Sequence, residues 1–270
     1  MREITDDEKK LLLVDLLSRF ASYCKTKSIS WSVTAGTLLG AVRHNGFIPW
    51  DDDIDVAVPR ADFFKLLHAL EVDQEGLDNF YMTIVEFDEH ENSYHKRFKI
   101  ADTRTTMTEY GKERPAVFID VFPRDTYKKD GLNKSSRKRV LLLDNLLVLC
   151  HSGQVSGDGI KRVIYSFLLF AHRILGLSKM ESFYEKIVLS MTKSENRGWS
   201  GSTEGSYGDR EFSPGKCYSS MVYIPFESIK VPCPTGYDSI LTNLYGDYMT
   251  PPPKEKQHNH SYYRMYWKED

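Results

Sequence analysis

Apolar and polar positions along the chain keep two alternating periods. Leu12, Val14, Leu16, Leu17 and Phe20 recur at roughly helical spacing, and Thr5 precedes Glu8 by three residues, as in a capping box. A first helix is therefore predicted, ending near Lys25. "ISWSVT" then reads as a strand, "GTLLGAVRH" as a short helix from Gly36, and Ile54, Val56, Ala57 and Val58 as a second strand. "RADFFKLLHAL" is an amphipathic helix, and strands are expected at 80–86, 94–101 and 116–122. The texture changes after Lys128. A polar, basic boundary, "KDGLNKSSRKR", leads into three helical stretches, "VLLLDNLLVLC", "IKRVIYSFLLFAHRILGL" and "KMESFYEKIVLSMTK". Residues 197–216 hold five glycines and read as one long loop, suited to a lid, a binding loop or disorder. A β segment near 217–225, a helix near 236–245 and a proline-broken extended end, "YGDYMTPPPKEKQHNH", complete the chain.

This order predicts an α+β (α/β) fold: a mixed β-sheet flanked by helices, with an added helical subdomain. The expected division is a catalytic core at 1–128, a helical accessory region at 129–196, and a loop and C-terminal segment at 197–270 packing back on the core. Net charge is −2 over 270 residues, so no global field points to nucleic acid or an anionic surface. Four cysteines without a C-x-x-C pair argue against a zinc ribbon or disulfide framework, and fit reduced thiols in a cytoplasm. "MREITDDEKK" is not a signal peptide, and no apolar run reaches the ~18 residues of a membrane span. A cytoplasmic protein is expected. The helices over 140–176, with Lys161, Arg162, His172 and Arg173 beside bulky apolar residues, suit either peripheral contact with the inner membrane leaflet or ordinary core packing.

"IPWDDDIDVAVPR" sets four aspartates in five positions at the mouth of an apolar strand. On a strand Asp53 and Asp55 share a face, Asp51 has their parity, and Asp52 faces away. Carboxylates that close resist joint ionisation unless a cation sits among them, and hard oxygens suit Mg²⁺. Upstream, Gly36 and Thr37 lie between a strand and a helix start, where backbone N–H groups and the helix dipole favour a phosphate. Downstream, Asp120 sits inside the apolar "AVFIDVFPRD". It pairs either with Arg97 or Arg124, or with Asp53 and Asp55 as a third metal-binding acid.

Gly-Thr at a helix start, D-x-D on a strand and an acid on a later strand together resemble the nucleotidyltransferase superfamily. The fuller string "GTLLGAVRHNGFIPWDDDIDV" resembles the signature of the LicD family of phosphotransferases, to which fukutin-related proteins are also similar. "FIDVFPRD", "LYGDYMTPPP" and a late His follow in the family's order. The resemblance implies a nucleotidyltransferase-like fold and transfer of phosphocholine from CDP-choline to a hydroxyl of a lipid-linked glycan, such as a teichoic-acid or lipopolysaccharide precursor, with CMP leaving. It implies one or two Mg²⁺ ions on Asp53, Asp55 and Asp120, with Asp120 as ligand or as base. Donor phosphate is expected at Gly36 and Thr37, helped by Arg43, Arg97 and Lys99. Candidates for the choline headgroup and substrate are Trp50, Tyr94, Tyr245, Tyr248 and His260. Nucleotidyl transfer to a sugar, transfer of another phospho-alcohol, and a non-catalytic glycan-binding role are the alternatives.

Overall fold

A computed structural model describes residues 1–86, 96–109, 112–128, 135–152, 176–192, 198–203, 205–257 and 264–268. The first helix, α1 (Asp6–Thr26), starts at the predicted capping box. The Thr5 hydroxyl accepts from Glu8 N–H at 3.3 Å, and the Glu8 carboxylate accepts from Thr5 N–H at 3.0 Å. Strand β1 (Ser32–Val33) and helix α2 (Ala35–His44) follow, then β2 (Asp55–Pro59), α3 (Arg60–Val72) and α4 (Gln74–Asn79). Next come β3 (Met82–Glu86), β4 (Phe98–Asp102), β5 (Thr105–Glu109), β6 (Lys112–Arg114) and the long β7 (Phe118–Tyr127). Two helices, α5 (Ser135–Ser152) and α6 (Leu177–Thr192), flank the region 153–175, which lies outside the described residues and holds most of the predicted "IKRVIYSFLLFAHRILGL" helix. The last part contains β8 (Trp199–Gly201), β9 (Ser213–Pro214), β10 (Met221–Phe226), β11 (Ile229–Pro234), α7 (Tyr237–Tyr245) and β12 (Met265–Trp267).

The fold is mixed α+β. The main sheet runs β1-β2-β7-β4-β3, with β8 paired to β7 and β9 to β8. β2 and β7 are parallel and the other pairs are antiparallel. β7 shows why the sheet has two different faces. Ile119, Val121, Asp125 and Tyr127 are buried on one side, where α1, α3 and α6 pack, while Asp120, Phe122, Arg124 and Thr126 are only half-buried by residue on the other. Leu16, Leu17, Phe20, Phe63, Phe98 and Val121 fill the apolar layer behind the sheet. α2 packs on β2, on β10 and on α7, so the short helix of the Gly-Thr motif is held from three sides.

Several elements depart from the sequence reading. The acidic run is not strand, because β2 begins only at Asp55. Residues 197–216 are not one loop. β8 and β9 pair there, and a single turn of 3₁₀ helix spans Gly208–Glu211. The segment near 217–225 is the first arm of a hairpin, β10–β11. β12 pairs with β5, so the C-terminal end joins a separate three-stranded sheet with β6. Among the described residues no helix is long and apolar enough to cross a membrane.

Candidate active site

Parallel pairing sets Asp55 directly beside Asp120 and Val56 beside Val121. The two acids come from elements far apart in sequence and meet because β2 and β7 are neighbours. Both are half-buried as residues, with their carboxyls packed inward. Burial raises the Asp55 carboxyl well above its ordinary range, and Asp53, Asp120, Asp51 and Glu211 add to the effect. Asp120 is pushed up to about 6, chiefly by burial, with Asp53 adding and Lys99 and Arg97 opposing. Its Oδ1 atom is buried without a hydrogen-bond partner, and Lys99 Nζ stands 3.9 Å away. Asp120 therefore pairs with Lys99, and Arg97 acts on it through charge. Arg124, the other expected partner, does not reach it.

Asp51 is the acid that parity placed nearby but did not make a site residue. Burial raises it to about 7, and Asp53 adds to the shift through charge and a side-chain hydrogen bond. Asp52 faces away, where its Oδ2 meets Lys9 Nζ at 2.6 Å. Burial still alternates through residues 51–54, although no strand forms there. Gly36 lets the Asp51 carboxylate sit close, since a Cβ on it would lie 2.8 Å from Asp51 Oδ2 and push that carboxylate aside.

Asp51, Asp53 and Asp55 line a cavity of about 1010 Å³, while Asp120, beside Asp55, is not on its wall. Ala35 and Gly36, the first residues of α2, form part of its wall. The first-turn N–H groups of a helix have no intrahelical acceptor, and Thr34 gives them no side-chain cap. Ala35 has φ +46°, a left-handed conformation unusual for a residue with a Cβ, and this bends the chain into the helix. Thr37 is placed differently from expectation. It is 2% exposed, and its hydroxyl accepts from Asp55 N–H at 2.8 Å. It ties the helix start to the acidic strand rather than facing the cavity.

Of the expected cations, Arg43 and Arg97 line the cavity. Arg43 donates to Tyr248 O at 2.6 Å and to His44 Nε2 at 2.9 Å, and its guanidinium lies 6.0 Å from the Trp50 ring centroid. Lys99 is engaged with Asp120 and with the Phe118 ring at 3.8 Å, so it acts on the acids rather than as a cavity cation. Trp50, Tyr245 and Tyr248 all reach the wall. Tyr245 packs edge-on to Tyr207 at 5.3 Å, while the Tyr248 hydroxyl donates to Asp238 at 2.8 Å. Tyr94 and His260 lie outside the described residues.

The remaining wall comes from the stretch read as a lid, a binding loop or disorder and from the proline run of "LYGDYMTPPP", in which the individual wall residues were not singled out. Ser202, Gly205, Tyr207 and Glu211 follow β8, Tyr218 precedes β10, and Pro251–Pro253 close the far side. Glu211 is raised by burial, and it accepts from Tyr207 N–H at 3.1 Å. A Cβ on Gly201 would meet Glu211 O at 2.0 Å, so this crossing needs glycine.

The donor set fits a hard divalent cation. Four buried carboxylates, Asp51, Asp55, Asp120 and Glu211, are raised in pKa, and one oxygen lacks any donor. That is the electrostatic state of an acid cluster without its countercharge. Among the described residues no three such groups close around one point by themselves. Asp53, Asp55 and Asp120 thus form a neighbouring group and not a finished three-ligand cage. An ion held there would take its remaining ligands from water and substrate phosphate, as Mg²⁺ commonly does.

An acid-lined cavity beside an uncapped helix start is the arrangement of a phosphate-handling transferase domain, and the comparisons agree on the class. Residues 28–139 match the family LicD/FKTN/FKRP, nucleotidyltransferase domain. Across almost its whole length it is similar to the lipopolysaccharide cholinephosphotransferase LicD of Haemophilus influenzae (strain ATCC 51907 / DSM 11121 / KW20 / Rd), with 28% identity over 279 residues, 98% of this chain and 99% of that protein. Shorter matches join it to the uncharacterized protein RP689 of Rickettsia prowazekii (38% over 63 residues, 23% of this chain and 24% of that protein) and RT0683 of Rickettsia typhi (39% over 56 residues, 21% and 18%).

Proposed function

We propose that the chain is a phosphotransferase that moves phosphocholine from CDP-choline to a hydroxyl of a cell-surface glycan precursor and releases CMP. The observation that carries this reading is one cavity holding both the countercharge-deficient carboxylates and the free first-turn N–H groups of α2. Similarity to a lipopolysaccharide cholinephosphotransferase supports choline as the headgroup and a glycan as the acceptor. Teichoic-acid and lipopolysaccharide precursors on a lipid carrier are both acceptors of the right chemistry.

In-line displacement at phosphorus asks the protein mainly to position two oxygens and to balance charge. The α2 start, Arg43 and Arg97 hold the diphosphate. Asp53, Asp55 and Asp120 would hold one or two Mg²⁺ ions, which when bound neutralise charge on the donor. Asp51, or Asp120 if it is not a metal ligand, would accept the attacking hydroxyl's proton. Tyr245, Tyr207 and Trp50 offer aromatic faces to a quaternary ammonium.

Incubation with CDP-choline, CDP-ethanolamine or a CDP-polyol, plus Mg²⁺ and a glycan precursor extract, tests the reading. CMP release fastest with CDP-choline, with choline phosphate on the glycan, is expected. The family description, a nucleotidyltransferase domain, favours one second reading: transfer of a nucleotide from a nucleoside triphosphate. Pyrophosphate release from such a donor, with no CMP from CDP-choline, would establish that reading instead.

A further inference from the structure

Arg124 lies on β7 four residues beyond Asp120, on the sheet face that borders the cavity. Its Nη1 atom is buried without a hydrogen-bond partner. Among the described residues its guanidinium makes no hydrogen bond or ion pair, and its one ring contact is Tyr218, with the centroid 4.4 Å away. Burial lowers its pKa, while Tyr218 and, more weakly, Asp62 oppose that shift. Arg60, on the back of the same sheet, shows how this fold treats an arginine meant only for structure. It donates to both oxygens of Asp125, at 2.7 and 2.8 Å.

A second unsatisfied group sits beside Arg124. β7 and β8 are antiparallel with Asp125 opposite Gly201, so one further step brings Ser202 opposite Arg124. Ser202 also lines the cavity, and its Oγ is buried with no partner. A buried guanidinium and a buried hydroxyl with nothing to bind are costly, and a fork of N–H donors beside an O–H donor matches a phosphate-type oxyanion. Four residues of strand separate Arg124 from Asp120 by about 13 Å. That spacing leaves room for a second anion apart from the phosphate that meets the carboxylates.

We infer that Arg124 and Ser202, with Arg124 braced on the ring of Tyr218, form an anion subsite that holds a second phosphate-type group of the bound substrates. The subsite rests on the reading of this cavity as the substrate site, and not on choline as the group moved. Its ligand is either the nucleotide phosphate on the leaving side or an anionic group carried by the acceptor.

Isothermal titration of the full chain with inorganic phosphate and with CMP, alongside Arg124→Gln, Arg124→Lys and Ser202→Ala, tests it. Phosphate affinity is expected to fall about tenfold in Arg124→Gln and less in Arg124→Lys. Ser202→Ala is expected to lose several-fold; it removes one unpaired hydroxyl and keeps the fold if Arg124→Gln does not. A parallel loss of CMP affinity places the anion on the nucleotide. Unchanged CMP affinity with a raised acceptor KM and preserved kcat places it on the acceptor. No phosphate binding by the wild type, or undiminished affinity in both Arg124→Gln and Ser202→Ala, overturns the subsite. Because the readout is binding, a different transferred group overturns the phosphocholine reading alone.

Discussion

Asp51 is the residue whose chemistry depends most on its surroundings. Its spacing from Asp53 was visible in the sequence, but its desolvation arises only in the folded chain, where it packs against Gly36. A carboxyl raised from its ordinary value binds more protons folded than unfolded between those two values. Without metal, stability is therefore fully present near pH 4 and is lost as pH rises toward about 7, the range set by Asp120 at about 6 and Asp51 at about 7. Chemical denaturation of metal-free protein should show this decline. Asp51→Asn should flatten it and gain at least about 1 kcal/mol at pH 7.5. Gly36→Ala should leave the fold intact, displace the Asp51 carboxylate and lower kcat/KM by about tenfold or more, as measured by CMP release. Arg124 was readable in the sequence as a candidate ion-pair partner of Asp120. The absence of a partner, which makes it informative, is a tertiary fact.

At the scale of elements, strong periodicity was legible and irregular pairing was not. α1, α3 and α7 followed from apolar spacing and a capping box, and β7 from its run of apolar residues. The stretch 197–216 misled because its glycines serve close crossings, as at Gly201, and short strand pairing carries little local signal. A buried network anchors that stretch. Asp125 binds Arg60 on one side and Thr203 on the other, and the Tyr127 hydroxyl meets Thr203 Oγ1 at 2.7 Å. Breaking a buried pair from one side leaves a bare charge, so Asp125→Ala should cost about 3–5 kcal/mol in a denaturation series. Thr203→Val should cost less and should weaken CMP binding, because Ser202 and Gly205 lose their anchor.

The whole molecule builds its cavity from three distant parts of the chain: residues 34–57, 97–124 and 201–256. The sequence disclosed the first two, where acids and glycine stand in recognisable strings, and Tyr245 and Tyr248 of the third. The third contributes through Tyr207, Glu211, Tyr218 and a proline run, residue types that are ordinary in any loop. Its wall covers the acids opposite α2, and Tyr245 is the aromatic best placed within it. Tyr245→Ala should weaken CDP-choline binding several-fold more than CMP binding, since only the former carries the cation. The central claim is that the carboxylates gathered by β2, β7 and the run before β2 hold a divalent cation against the donor. Electron paramagnetic resonance of Mn²⁺, used in place of Mg²⁺, measures this most directly in the presence of CDP-choline. The wild type should bind one or two ions. Asp53→Asn and Asp120→Asn, shown folded by circular dichroism, should each lose about tenfold or more in affinity. Equal Mn²⁺ affinity in all three proteins would contradict the account.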